Sequence, residues 1–129
     1  MRKISNWLLL LLALGLILTA CGGAEEPAST GQESAGPGDA AAGKTLFEQT
    51  LIGTQAGCAT CHSLEPGLTM VGPSLAGIGA RSEDYLRQSI TEPDAEIAAG
   101  FTPGIMPQAL ADELSEQQVD DLIAFLLTK

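Results

Sequence analysis

Residues 58–62 read Cys58-Ala59-Thr60-Cys61-His62, and this C-x-x-C-H motif decides how the chain around it folds. Cysteines and histidine in this order are the signature of c-type haem attachment. Two thiols one helical turn apart can each form a thioether with a haem vinyl group, and the adjacent imidazole becomes the proximal ligand of the iron. The motif therefore predicts one haem c, bound covalently through Cys58 and Cys61 and ligated by His62.

Paired cysteines also occur in two other kinds of site. A thioredoxin-like dithiol would lie within a βαβ pattern, which this sequence lacks. A zinc site needs four ligands, and the rest of the domain contains no further cysteine or histidine. The sequence favours haem attachment over both of these sites, and over a chance occurrence of the motif.

The N-terminal 20 residues have the layout of a secretory signal. Met1-Arg2-Lys3 precedes an apolar run from Trp7 to Ala20, which is shorter than the roughly 20 residues of a membrane-spanning helix. Leu18-Thr19-Ala20-Cys21 resembles the bacterial lipobox, in which the cysteine is acylated and becomes the first residue of the mature chain. We expect residues 1–20 to be removed and Cys21 to be lipidated. The alternatives are an ordinary signal peptide with an incidental cysteine and a short uncleaved anchor.

Residues 21–40 form a predicted flexible acidic tether, and residues 41–129 a single domain. The tether is rich in Gly, Ser, Ala, Pro and Glu and shows no apolar periodicity. The whole chain of 129 residues has 16 acidic and six basic residues, for a net charge of −10. This balance argues against binding to nucleic acid or to anionic lipid surfaces.

The domain is predicted to be all-α, with long loops. A first helix is expected from residue 41 to about residue 54, and Ser82 is expected to cap a second helix that continues to Ile90. The third is the best defined, since Ser115 and Gln118 form a capping box before an apolar stripe. Strand signals are weak throughout.

The second axial ligand of the iron must come from a residue other than histidine, because His62 is the only one in the chain. The candidates are Met70 and Met106, since Met1 lies in the signal. Met70 follows His62 too closely to reach the other face of a haem easily, whereas Met106 follows a helix and a Gly/Pro-rich loop. We therefore expect Met106 to be the ligand, paired with His62 to raise the reduction potential, and Met70 to serve in packing.

From about Gly43 to its C-terminus the chain resembles the class I cytochromes c. Gly43 and Phe47 look like the Gly-x-x-x-aromatic of the family's first helix, and Leu122 and Phe125 like the partner pair on its last helix. Gly72-Pro73-Ser74-Leu75-Ala76-Gly77 matches the family's G-P-x-L-x-G. The resemblance implies three to five short helices and long loops wrapped around one haem.

Roles for single residues follow from the same resemblance. The carbonyl of Pro73 would accept a hydrogen bond from Nδ1–H of His62 and fix its tautomer. Arg81 lies where the family places an arginine near a haem propionate, and Tyr85 is a weaker candidate for that work. Met106-Pro107 falls where the family's methionine ligand loop is expected.

The resemblance implies an electron carrier, and the expected signal and lipidated Cys21 imply that it lies on the outer, periplasmic or extracellular, face of the bacterial cell membrane. The stretch from Tyr85 to Pro107 is similar to cytochrome domains fused to oxidase copper subunits and to the monohaem lipoprotein subunit of alternative complex III. We expect electrons from a quinol-oxidising respiratory or photosynthetic complex to pass through this chain to a terminal oxidase or another cytochrome. It would act as a bound subunit of alternative complex III or as a free-standing lipoprotein shuttle.

A haem peroxidase or ligand sensor with an open iron site is the alternative class of function. Such sites usually need a distal acid–base group. His62 is already committed to the iron, and Arg81 to the propionate. The electron carrier is therefore the favoured interpretation, and an enzyme is not expected.

Overall fold

The computed structural model describes residues 37–129, so the expected signal, Cys21 and all but the end of the expected tether lie outside the described residues. The described part is mostly helical with long loops, which confirms the predicted all-α class. Its elements are, in order, α1 (Ala40–Phe47), β1 (Leu51–Ile52), β2 (Gln55–Ala56), α2 (Cys58–Cys61), a 3₁₀ helix (Ile78–Ala80), α3 (Glu83–Thr91), a second 3₁₀ helix (Gln108–Glu113) and α4 (Glu116–Leu126). Within residues 37–129, none of the helices is long and apolar enough to cross a membrane.

Polar side chains begin the three longer helices, because the first N–H groups of a helix have no partner within it. The side chain of Asp39 accepts hydrogen bonds from the backbone N–H groups of Ala41 and Ala42. Ser82 caps α3, and Ser115 with Gln118 forms the complete capping box of α4. The predicted cap of α3 and capping box of α4 are confirmed.

The first helix is shorter than predicted. It ends at Phe47, and residues 51–56 form an antiparallel hairpin in which Leu51 pairs with Ala56. Gly53 takes a positive φ of 56° in the turn, a conformation that a helix cannot contain. Thr54 Oγ1 donates a 2.6 Å hydrogen bond to Glu113 Oε1, so a long-range contact holds the turn that local periodicity did not indicate.

The centre of the domain is the close crossing of α1 and α4. A Cβ on Gly43 would overlap the backbone carbonyl of Asp121, so only glycine permits the helices to approach this closely. Phe47 and Phe125 pack at this crossing with ring centroids 5.4 Å apart and planes inclined at 51°. This is the arrangement that the Gly43/Phe47 and Phe125 pattern predicts. The backbone N–H of Asp39 also donates a 2.7 Å hydrogen bond to the buried carboxylate of Asp121.

Helix α3 joins this pair through an apolar and a charged contact. Leu86 and Ile90 are buried in the core, as expected from their spacing. On the more exposed side, Arg87 pairs with Asp120 and lies 3.6 Å from Glu116 Oε2, both on α4. These contacts join the three longer helices of the domain.

Candidate haem-binding site

The loops and helices enclose a cavity of about 360 Å³ beside the core. Side chains from α1, α3, α4 and the second 3₁₀ helix form its apolar walls. These include Phe47, Leu86, Ile90, Leu110, Leu122 and Leu126. All six are buried, so the cavity adjoins the hydrophobic core. An apolar ligand bound in the cavity would pack directly on core side chains.

The two thiols lie at the edge of this cavity on α2. Gly57 precedes the helix, and Cys58 and Cys61 are separated by one turn, so that both line the cavity. The turn is closed by a 2.9 Å hydrogen bond from the backbone N–H of His62 to the carbonyl of Cys58, and by Thr60 Oγ1 donating to the carbonyl of Gly57 at 2.6 Å. The spacing that the motif predicted is thus a single helical turn facing the cavity.

Burial raises the pKa of the Cys58 thiol to about 11, because removing the thiol from water disfavours the charged thiolate. Repulsion from Cys61 raises the pKa further, and a hydrogen bond to the backbone partly opposes both. A thiol with the ordinary pKa of 9.0 is already mostly neutral at neutral pH, and the raised pKa makes the thiolate of Cys58 scarcer still. In the folded chain Cys58 is therefore a poor nucleophile toward solvent reagents.

The imidazole of His62 is fixed by the segment that follows it. Nδ1 of His62 lies 2.9 Å from the carbonyl oxygen of Pro73. Because a carbonyl can only accept, Nδ1 carries the proton in this contact and Nε2 keeps its lone pair, which is the form that ligates a metal. Gly72 packs so closely on the ring that a Cβ there would lie 2.5 Å from Cε1.

Backbone hydrogen bonds keep this segment in place. The N–H of Gly72 donates to the carbonyl of Cys61 at 2.8 Å, and the N–H of Leu75 donates to the carbonyl of Ser63 at 2.8 Å. Residues 72–75 therefore run beside residues 61–63. Pro73 is positioned by the same contacts, so its carbonyl is directed at the His62 ring.

The two candidate methionines have different environments. Met106 lines the cavity together with Ile105 and Pro107, is partly buried and packs against the core. Met70 is 46% exposed and is not among the residues that line the cavity. The structure thus brings His62 and Met106 to one cavity and leaves Met70 outside it.

Arg81 and Tyr85 also line the cavity and contact each other. The guanidinium carbon of Arg81 lies 4.1 Å from the centroid of the Tyr85 ring, within cation–π range. Arg81 Nη2 also lies 3.7 Å from Glu96 Oε1. Glu96 and its neighbour Asp94 line the cavity as well. The sequence did not indicate that either acid lines the cavity, because both lie in a loop without a periodic pattern that would show which way a side chain faces.

The residues at the cavity fit a covalently attached haem. The walls are apolar, two thiols stand one turn apart at the edge, and an imidazole has its Nδ1–H already engaged. A thioether side chain reaches the same space. Among residues 37–129, no group of three or more His, Cys, Asp or Glu side chains could hold a metal ion by itself.

Residues 40–129 match the Cytochrome c family, which covers most of the chain and nearly all of its described part. The chain belongs to the cytochrome c family. A comparison with curated proteins finds no match to the chain. Membership establishes a haem electron-transfer protein with covalently attached haem c, and the thiols of Cys58 and Cys61 have the spacing of that attachment. Bound haem c supplies this cytochrome with an iron that exchanges one electron at a time.

Proposed function

We propose that the chain is a membrane-anchored electron-transfer cytochrome c whose iron is ligated by His62 and Met106. The observation that carries the proposal is that both side chains line one apolar cavity, with Nδ1 of His62 engaged by the carbonyl of Pro73. With His62 and Met106 both holding the iron of a bound haem, little rearrangement of the protein would accompany a change in its oxidation state. A histidine and a thioether together also raise the reduction potential.

Residues around the ligands tune and shield the site. The Pro73 carbonyl accepts the Nδ1–H of His62 and so holds the ring in one orientation. Arg81 and Tyr85 are the proposed neighbours of a propionate, which is consistent with their positions at the cavity and with their mutual contact at 4.1 Å. The buried apolar walls exclude water, and the low polarity they create strengthens the electrostatic influence of nearby charges on the potential.

The proposed location is the outer face of the bacterial cell membrane, with a lipid on Cys21 as the anchor. The basic start, the short apolar run and Leu18-Thr19-Ala20-Cys21 support this. Residues 21–40, rich in Gly, Ser, Ala, Pro and Glu, are the proposed flexible tether between this anchor and the domain. The chain carries electrons from a quinol-oxidising complex to a downstream oxidase or cytochrome, as a subunit of alternative complex III or as a lipoprotein shuttle.

Charge and apolar exposure define the face that partners meet. Each basic side chain among residues 37–129 already has an internal contact: Lys44 with Glu48, Arg81 with Glu96, Arg87 with α4, and Lys129 with the ring of Phe125. Val71 and Ile105 line the cavity and are each 56% exposed. Both features support a partner with a basic or apolar face. Electron transfer to a basic partner slows as salt is added.

The axial ligation is tested by the ferric spectrum of the full-length holoprotein. We expect a low-spin spectrum with the weak far-red methionine-to-iron band. Met106→Ala should abolish that band, because the iron loses its thioether ligand. Met70→Ala is the matched control and should leave the band unchanged. A band that disappears in Met70→Ala and persists in Met106→Ala would reject the assignment.

The same samples separate the electron carrier from a haem peroxidase or sensor. A closed six-coordinate iron binds cyanide or carbon monoxide slowly, because a protein ligand must leave first. A high-spin spectrum, or rapid binding of either molecule by the unmodified protein, would contradict the carrier.

The membrane anchor and the partner need a separate experiment. The full chain is purified from membranes in mild detergent, and the proteins that co-migrate with it are identified. A quinol-oxidising complex in stable association supports the subunit, whereas a lone cytochrome in the membrane fraction supports the shuttle. Recovery of the full chain in the soluble fraction would contradict lipid anchoring.

A further inference from the structure

Met106 lies at the end of a long loop that has little structure of its own. The loop comprises residues 92–107, between α3 and the second 3₁₀ helix. Structureless loops longer than about 15 residues are uncommon in small domains and are usually functional. This one forms a wall of the cavity, to which Asp94, Phe101 and Ile105 contribute besides Met106. Its conformation therefore decides where the thioether lies.

One hydrogen bond joins the two limbs of this loop. The backbone N–H of Gly104 donates to Asp94 Oδ1 at 2.9 Å, and the two residues are ten positions apart. The other backbone hydrogen bonds described within the loop are short-range, from Ala95 to Glu92 and from Phe101 to Ala98. Among the hydrogen bonds described within the loop, the one that joins its two limbs is therefore accepted by the Asp94 carboxylate.

The position of this bond is favourable for holding Met106. Gly104 is two residues before Met106 and has a positive φ of 74°, so it marks the turn at which the chain enters the ligand segment. Pro93, next to Asp94, is buried and lines the cavity, so the first limb of the loop is anchored at the cavity wall. An ionised acceptor makes a stronger hydrogen bond than a neutral one. Fixing Gly104 to this anchored limb restricts the loop's freedom and limits the distance over which Met106 can move.

We infer that Asp94 is a positioning residue for Met106, which holds the ligand loop closed through the Gly104 N–H and so limits dissociation of the thioether from the iron. The inference rests on the proposed ligation by Met106. Asp94 does not contact the iron itself and acts by fixing the loop conformation. Loss of its carboxylate should therefore favour the open state, in which the sixth coordination position is free.

The test measures opening of the loop in the ferric holoprotein. Cyanide binds only after Met106 dissociates, so the rate of cyanide binding at saturating cyanide reports the opening step. Asp94→Ala should increase that rate about three- to tenfold, the factor that corresponds to a typical net hydrogen bond. The far-red band should weaken in the same variant.

Two further variants separate the hydrogen bond from the charge. Asp94→Asn keeps an oxygen acceptor while removing the charge, and its rate of cyanide binding should lie between those of the parent and Asp94→Ala, since a neutral acceptor retains about half of a charge-assisted hydrogen bond. Asp112→Ala removes a carboxylate from an exposed site outside the loop and should have no effect. If Asp94→Asn behaved like Asp94→Ala, charge alone would be responsible and the inference would be wrong.

The remaining outcomes are also decisive. An unchanged cyanide rate in Asp94→Ala, with Met106→Ala still abolishing the far-red band, would overturn the role of Asp94 and leave the ligation intact. A band that survives Met106→Ala would overturn both. A lower urea midpoint in Asp94→Ala without faster cyanide binding would mean that the residue contributes only to stability.

Discussion

The two segments that bring ligands to the cavity are held in different ways. The segment from Cys58 to Leu75 is fixed by backbone hydrogen bonds and by the 2.9 Å contact between His62 Nδ1 and the Pro73 carbonyl. The loop over residues 92–107 depends on side chains, through the Asp94–Gly104 bond and the pairing of Glu96 with Arg81. Backbone hydrogen bonds hold residues 72–75 against residues 61–63 at more than one point, whereas the two side-chain contacts of the loop are exposed to water. We therefore expect the histidine side to be rigid and the methionine side to open.

The largest effect is expected from a steric change on the histidine side. Gly72→Ala would bring a Cβ to 2.5 Å from Cε1 of His62, so the ring must move away from the Pro73 carbonyl. Overpacking of this kind should lower the free energy of unfolding by about 2–3 kcal/mol, measured by urea denaturation. The yield of holoprotein should fall in parallel, because the displaced imidazole is no longer aligned with the attachment site.

Gly67→Ala is the control within the same segment. Gly67 has a positive φ of 73° but open space where its Cβ would lie, so the alanine costs only backbone strain, about 1 kcal/mol. Equal destabilisation by the two substitutions would show that packing on His62 is unimportant.

A smaller and more local effect is expected on the methionine side. Gly104→Ala meets no neighbouring atom, but the φ of 74° strains an alanine by about 1 kcal/mol. Because the strain lies in the ligand loop, it should be relieved when the loop opens. Cyanide binding to the ferric holoprotein should then be about fivefold faster, because about 1 kcal/mol of relieved strain increases the population of the open loop about fivefold.

The matched control is Gly77→Ala, which has a φ of 79° and equally open surroundings but lies outside the loop. It should lower stability to unfolding by a similar amount and leave the rate of cyanide binding unchanged. If both variants accelerated binding equally, opening would be global and the proposed difference between the two segments would be lost.

The smallest effect is expected at the second side-chain contact of the loop, the pair formed by Glu96 and Arg81. Glu96→Gln breaks the 3.7 Å pair with Arg81, but both side chains are more than half exposed, and such pairs contribute less than about 1 kcal/mol. The free energy of unfolding, measured by urea denaturation, should therefore change little. The reduction potential should rise, because a negative charge is removed from a residue that lines the cavity. A fall in the potential would contradict this electrostatic reasoning.

Local signals in the sequence carried most of the fold. The all-α class, the cap at Ser82 and the capping box at Ser115 were predicted correctly, because each depends on residues within one or two turns. The first helix was predicted too long. Its apolar pattern continues past Phe47, while Gly53 and the distant Glu113 favour a hairpin.

In the candidate site, too, the features that depend on residues close in the sequence were predicted and those that depend on distant contacts were not. The thiols and His62 were assigned from one motif, and the family resemblance gave Pro73, which the structure puts 2.9 Å from the ring. The contacts of Asp94 and Glu96 could not be predicted, since both acids act across a loop without regular structure. A charged residue in such a loop has no pattern that indicates its partner. Contacts of this kind depend on the tertiary arrangement and appear only when the chain is folded.

The close crossing of α1 and α4 has a consequence for how the chain folds. The backbone N–H of Asp39 donates a hydrogen bond to Asp121, 82 residues later, and Gly43 lies against the same turn of the last helix. The core cannot close until the final helix has met the first, and contacts so distant in sequence make folding slow. Until then Cys58 and Cys61 remain accessible in an open chain. The order of the helices thus leaves a period in which the thiols can react before burial protects them.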